Sequence, residues 1–516
     1  MQTSMTHNRH LIIFTLLLAF LFTLFYIFRS TDQTPSFENG DSTRIALKKT
    51  ICDKVDIGWL AGDRHYWDGW SDKTMFIKPD GTFTQGNVYI NQGEEVCIVV
   101  LLGPIPAKKD DTTHTGPRDS IVMFANGSNS TKVTIQLQQD PHHSNAYFTA
   151  IKFRYPDTYH LNAINEYRSY FWESPVSHSY HPNSFESQNK LIVRPINTSI
   201  RAGLNQTLEL CDLKSSTTEF KGAWLDKQVY GSRNSLQFFK AYENSEKMYT
   251  VNNKVFIADN CTLQYKSSGK GEQCLGKSNV HVFGDNNIRR NLKALRSRNN
   301  WCNIDQISKI KNKKEREEKM KCACNDDAED TTGYPWVNNP YLPLILTNSW
   351  DVDSNVYFYS IQQTMVNNQP EISQSIKEFS ANHTIPHADI VVLGLGNADI
   401  EAIQVSPNQF STSFYQFLKH LRKNIYRKQK IIVKTPQYFC CGTIDATSWN
   451  TGRSLAFTIG VRNVVQSLND DNVLLWDVHS LGTDETTCLS DSGSSYSKRN
   501  VINVENMLLW NLICEN

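Results

Sequence analysis

Val280-His281-Val282-Phe283-Gly284-Asp285-Asn286-Asn287-Ile288-Arg289-Arg290-Asn291 is the stretch on which the reading of this chain turns. Its apolar residues alternate up to a Gly-Asp pair, and a basic pattern with Ile288, Leu292 and Leu295 at helical spacing follows. A buried strand that hands over to a helix in this way is the repeating step of an α/β domain. A sharp turn there aims the residue after Gly-Asp, and the first free N–H groups of the helix, at one spot. Acyl-transfer chemistry needs a nucleophile and its oxyanion donors at such a spot. Asn286 stands where the nucleophile would be. A carboxamide has no proton that a base can remove to make it attack, so the turn is present and the reagent is absent.

Downstream the step repeats. Ala388 to Asn397 reads as a second buried strand, ending in a Gly394-Leu395-Gly396-Asn397 turn. A helix from Phe410 to Lys428 follows, then strands at Lys430–Thr435 and Val473–Asp477, and a terminal helix from Val501 to Cys514. Strands and helices alternating in this order predict a parallel sheet covered on both faces.

The opening turn resembles the Gly-Asp-Ser block of SGNH/GDSL-type esterases, in the version carried by the neurexophilin and PC-esterase (NXPE) family. Phe283, Gly284, Asp285 and Arg289 match that block, and the serine does not. Trp224, Cys261 and Cys274 resemble the Cys-rich approach to it. Ile431-Ile432-Val433-Lys434-Thr435 is similar to the family's Ile-Ile-x-Lys-Thr strand, Trp476-Asp477 to its Trp-Asp strand, and Ile513-Cys514 to the end of its terminal helix. The resemblance covers residues 224–516 and implies an SGNH-like α/β domain descended from enzymes of acyl transfer or hydrolysis on glycans. It also implies that Asn397 holds the place of the asparagine that donates into the oxyanion hole.

The catalytic histidine of such enzymes precedes the terminal helix. Here that place holds Ser494-Ser495-Tyr496-Ser497, with Asp491 nearby and no histidine. The degenerate positions Asp285, Asn286, Asn397 and Tyr496 therefore predict no catalysis, and the domain reads as a pseudoenzyme. Asn286, Arg289 and Asn397 remain as binding residues, for a glycan or a protein partner. Two alternatives stay open. One is an active glycan O-acyl esterase or acyltransferase whose centre has moved to Asp285 or Ser480 with His479. The other is a structural surface glycoprotein. His479 lies well before the family's histidine position, so a structural or surface role is expected for it.

Towards the amino terminus, short alternating runs lie between turn residues: Val88–Ile90, Glu95–Leu102, Ile121–Phe124, Val133–Leu137 and Tyr147–Phe153, with Asp80-Gly81 and Asn126-Gly127 as tight turns. Their spacing predicts an immunoglobulin-like β-sandwich, where the family resemblance places its neurexophilin-type domain. His142-His143 and His178-x-x-His181 have no Cys or carboxylate cluster beside them and read as loop histidines. From Ser308 to Lys321 the chain carries seven Lys or Arg and three Glu, read as an exposed helix or inserted loop.

Leu11 to Phe28 is a run of 18 nearly all apolar residues between Arg9 and Arg29. At about 1.5 Å per residue it roughly covers a bilayer's hydrocarbon core, and no small-x-small cleavage site follows, so an uncleaved signal anchor is expected. All twelve cysteines and six Asn-x-Ser/Thr sequons lie after it, the sequons at Asn126, Asn129, Asn197, Asn205, Asn260 and Asn382. Cysteines and sequons together predict a disulfide-bonded, glycosylated body in the lumen or outside the cell, as a single-pass type II protein of the Golgi or the cell surface. Spacing does not say which cysteines pair. Cys322-x-Cys324 and Cys440-Cys441 lack the partners of a zinc site, and neither metal nor cofactor is expected. A net charge of +1 gives no field for nucleic acid. The expected boundaries are a short cytoplasmic tail at 1–10, the transmembrane anchor at 11–28, a stalk at 29–65, the immunoglobulin-like sandwich at 66–205 and the PC-esterase-like α/β domain at 206–516.

Overall fold

The computed structural model describes residues 50–54, 73–77, 86–102, 119–128, 131–135, 137–140, 146–153, 155–168, 183–187, 189–196, 210–211, 220, 222–227, 249–251, 253–258, 261–297, 309, 311–314, 316, 355–402, 405–438, 451–482 and 499–514. The amino-terminal part is built of β1 (Lys73–Ile77), β2 (Val88–Asn91), β3 (Glu95–Leu101), β4 (Asp119–Gly127), β5 (Lys132–Ile135), β6 (Gln138–Gln139), β7 (Ala146–Lys152), β8 (Asp157–Arg168), β9 (Asn183–Glu186) and β10 (Leu191–Arg194). One sheet runs β1-β3-β7-β6 and the other β2-β10-β8-β4-β5, with β9 against β8. Alternate residues explain the layering. Val96, Ile98 and Val100 of β3 share a core with Met123 and Ala125 of β4 and with Tyr159, Leu161 and Ala163 of β8. The opposite face of β3, through Cys97, Val99 and Leu101, packs on Ile51, Cys52 and Ala146. Burial on both faces makes β3 a continuous apolar run rather than an alternating one, and a Cys52–Cys97 disulfide ties it to the preceding turn.

A small antiparallel sheet of β11 (Gly222–Asp226), β12 (Thr250–Val251) and β13 (Lys254–Ala258), ordered β11-β13-β12, leads into the carboxy-terminal part. That part holds β14 (Val280–Gly284), β15 (Val356–Ser360), β16 (Ile390–Gly394), β17 (Lys430–Lys434) and β18 (Val473–Trp476). Its helices are α1 (Ser268–Leu275), α2 (Asn286–Ser297), α3 (Met365–Ser380), α4 (Asn397–Glu401), α5 (Pro407–Asn424), α6 (Thr451–Leu468) and α7 (Arg499–Ile513). The strands pair in the order β15-β14-β16-β17-β18, every pair parallel. Val282, Val392, Ile432 and Leu474 bury against α2 and α7 on one face. Phe283, Val391, Val433 and Leu475 bury against α3, α5 and α6 on the other. Such strands must be apolar at successive positions, which is why they read as short uninterrupted runs.

This mixed α/β architecture, with several sheets of which one is parallel, corrects the expected fold class, which included an amino-terminal transmembrane helix. Among the described residues no helix is long and apolar enough to cross a membrane. A span needs about 20 apolar residues, whereas the 18-residue α5 carries Lys419, Arg422 and Lys423 on its outer side. Residues 11–28, on which the anchor rested, lie outside the described residues. The single-pass type II placement in the Golgi or at the cell surface depended on that span and is withdrawn with it. Residues Ile51–Asn516 form one compact unit.

Candidate functional site

In a parallel sheet of order 2-1-3-4-5 the connections leave β14 and β16 in opposite directions, and a crevice opens beyond their carboxyl ends. Gly284 ends β14 directly opposite Gly394, which ends β16. The approach is too close for side chains: a Cβ on Gly284 would strike the Gly394 carbonyl oxygen and Ile288. The Asp285 amide donates to the Gly394 carbonyl at 3.3 Å, and the Ile361 amide to the Gly284 carbonyl at 2.8 Å, so the turn is held from both neighbouring strands. Gly396 adopts φ +118°, a left-handed value that glycine takes without strain, and so swings Asn397 onto the first turn of α4. There the Asn397 Nδ2 donates to the Asp285 carboxylate at 3.4 Å. The Gly-Asp and Gly-x-Gly-Asn turns thus meet in the crevice, with Asp285 5% and Asn397 6% exposed.

Asn286 opens α2, and its side chain lies outside the described residues, as does all of Tyr496. Arg289 lies one turn further along; its backbone amide donates to the Asp285 carbonyl at 3.2 Å and its side chain is buried rather than turned to solvent. Beneath the turn runs a polar network that no local pattern announced. Lys434, the last residue of β17, pairs with Glu505 of α7 at 3.0 Å and donates to Asn291 Oδ1 at 2.7 Å. Asn291 in turn donates to Glu505 and Asn506. Burial pulls the Lys434 pKa down, against Glu505, which raises it.

Past β18, the Asp477 carboxylate accepts from Arg462 Nε at 2.9 Å, the Phe220 amide at 3.0 Å and Thr435 Oγ1 at 3.2 Å. It is not turned to the His479 ring. His479 Nε2 lies 3.2 Å from Ser454 Oγ of α6, and Tyr438 packs edge-on against the imidazole. Ser480 donates to the Phe220 carbonyl at 2.7 Å. The structure therefore brings Asn397 to Asp285 but joins the His479 ring to neither Ser480 nor the Asp477 carboxylate, which accepts instead from the His479 backbone amide at 3.4 Å. Ser454 is the residue beside His479. Burial, and then the nearby Arg462, hold the His479 ring well below its usual pKa, so the ring is neutral.

Along this edge several polar atoms are unmatched. Among the described residues, Asn397 Oδ1, Gln437 Nε2 and Oε1, and His479 Nδ1 are buried without a hydrogen-bond partner. Each such group costs about 1–3 kcal/mol in a fold whose net stability is about 5–15 kcal/mol. Buried polar groups are nearly always satisfied, by the protein, by ordered water or by a ligand. Gln437 escaped the sequence reading. It lies three residues past the end of β17, and the position of crevice residues just beyond strand ends is the signal that could have found it.

Of the sequons, Asn126 is exposed on β4 and Asn382 is half-buried, its Oδ1 accepting from Thr384; Asn129, Asn197, Asn205 and Asn260 lie outside the described residues. So do His142, His143, His178 and His181. Among the described residues no group of three or more His, Cys, Asp or Glu is placed to hold a metal. Disulfides join Cys52 to Cys97, Cys211 to Cys261 and Cys274 to Cys514. Lys309, Lys311, Lys313 and Lys314 of the charged run are exposed.

No family model matches the chain, and no curated protein does. Among solved structures, a polysaccharide lyase is similar over 70% of this chain at 9% identity and a TM-score of 0.14. The chain spans 35% of that lyase's length. A likeness at this level carries no argument about fold or activity.

Proposed function

We propose that the chain is an NXPE-type protein whose esterase-like domain binds a glycan or an acyl-sugar without turning it over. The meeting of Asn397 with Asp285 at 3.4 Å, in the crevice between β14 and β16, supports this reading. It brings the two turns of the crevice together beside Asn286, a residue that cannot act as a nucleophile. Two buried histidines could serve as bases, and both are engaged elsewhere: His281 with Tyr426 and the Pro386 carbonyl, His479 with Ser454. Loss of the nucleophile or base of a serine-hydrolase centre costs on the order of a million-fold in turnover.

The purified protein should hydrolyse acetyl esters no faster than a heat-inactivated control and should take no label from a serine-directed fluorophosphonate. Asn286→Ser alone should restore neither, because His281 and His479 are both engaged elsewhere. Saturation-transfer NMR with a panel of oligosaccharides should show binding, weakened on Asn397→Ala with the fold intact by circular dichroism. Turnover that disappears on His479→Gln would overturn the inert reading in favour of a relocated centre. We infer further that Asn126, exposed on β4, carries an N-linked glycan, which glycosidase digestion and intact mass would reveal.

A further inference from the structure

We propose that Gln437 and His479, together with Asn397, form a subsite for an uncharged, hydroxyl-rich ligand such as a neutral sugar ring. The proposal rests on the binding reading above and names the ligand class of the same crevice. The three residues follow the ends of β16, β17 and β18, which are consecutive strands of the sheet. Their turns touch: a Cβ on Gly396 would lie 3.4 Å from Pro436, and the Tyr438 ring lies 5.3 Å from that of His479. Among the described residues their polar atoms Asn397 Oδ1, Gln437 Nε2 and Oε1, and His479 Nδ1 have no partner, although Gln437 and His479 are each only 2% exposed.

The chemistry of these atoms selects the ligand. Asn397 Oδ1 and Gln437 Oε1 accept and need donors, which a carboxylate or sulfate does not have. Gln437 Nε2 donates and needs an acceptor, which an ammonium does not have. A hydroxyl does both, and a vicinal diol can meet the two ends of one carboxamide at once. Two of the charges nearby are matched within the protein, Asp477 by Arg462 and Lys434 by Glu505.

The test uses the full chain, three neutral trisaccharides (maltotriose, xylotriose and chitotriose) and the anionic trigalacturonate, with calorimetry or saturation-transfer NMR. At least one neutral trisaccharide should bind, and Gln437→Leu and His479→Phe should each weaken it tenfold or more. In the absence of ligand, Gln437→Leu should leave the far-UV spectrum unchanged and raise the Tm, because it removes a carboxamide that nothing among the described residues satisfies. Neutral binding unaffected by both variants would overturn the proposal. So would a Tm that falls on Gln437→Leu, which would mean that ordered water alone satisfies the carboxamide. Binding of trigalacturonate without any neutral trisaccharide would leave the binding function standing and sink this subsite. Binding of none of the four would sink both.

Discussion

His281 shows what one side chain inside the sheet does to the whole fold. It sits on β14 with Nδ1 2.9 Å from the Tyr426 hydroxyl and Nε2 2.9 Å from the Pro386 carbonyl. The carbonyl can only accept, so Nε2 carries the proton and Nδ1 accepts from the tyrosine. Burial holds the pKa down at about 4, against 6.5 in the unfolded chain. Between those values the unfolded chain takes up a proton that the folded chain refuses. Stability is therefore fully present above pH 6.5 and falls as the pH drops towards 4, by about 3 kcal/mol. Urea midpoints across that window should follow this slope, and His281→Gln should flatten it; an unchanged slope would put the titration elsewhere. Lys434 and Glu505 make a second residue-scale case, with side chains 0% and 2% exposed. Lys434→Met strands a buried carboxylate and should cost about 3–5 kcal/mol, whereas Lys434→Met with Glu505→Leu should recover most of it. A double variant no more stable than the single one would contradict this account.

Between elements, the controlling contact is the approach of β14 to β16 under α2. A Cβ on Gly394 would lie 2.8 Å from Ile288 Cδ1, and one on Gly284 would strike the neighbouring strand itself. Gly284→Ala should then destabilise by about 1–3 kcal/mol and move Asn397 away from Asp285, whereas alanine at Gly93, whose Cβ would meet open space but whose φ is +82°, tests backbone strain without crowding. Equal losses at both positions would rule out the packing explanation. At the other end of the domain, Cys274 of α1 is bonded to Cys514 just past α7, across 240 residues. Closing a loop of that length restrains the unfolded chain by about 5 kcal/mol in the chain-entropy account. Cys274→Ser should lower the urea midpoint accordingly, with the loss concentrated in hydrogen-exchange protection of α7.

For the molecule as a whole, α6 is the joint: it covers the parallel sheet and also packs against β4 and β8 of the sandwich part. The sandwich core and the sheet should then unfold together, giving coincident circular-dichroism and tryptophan-fluorescence transitions; two separated transitions would show that α6 does not couple them. This double contact also explains why α6 was missed in the sequence. Ser454, Thr458 and Arg462 are buried on it alongside Phe457, Val461, Val464 and Val465, so part of its buried surface is polar and gives no apolar signal. β8 was missed for the opposite reason: Thr158, His160 and Asn162 alternate with the buried Tyr159, Leu161 and Ala163, and the polar half masked the strand. The switch from period two to helical spacing at Gly284-Asp285 and the apolar runs of β16, β17 and β18 were legible. Each is a property of a few consecutive residues. That Asn397 reaches Asp285 across 112 positions, that Lys434 finds Glu505, which cysteines pair, and that Gln437 and His479 end with polar atoms unmatched were decided by the tertiary structure alone. Backbone preference acts over a turn or two, whereas these meetings follow from which apolar faces bury against one another, and that choice is made by the whole chain at once.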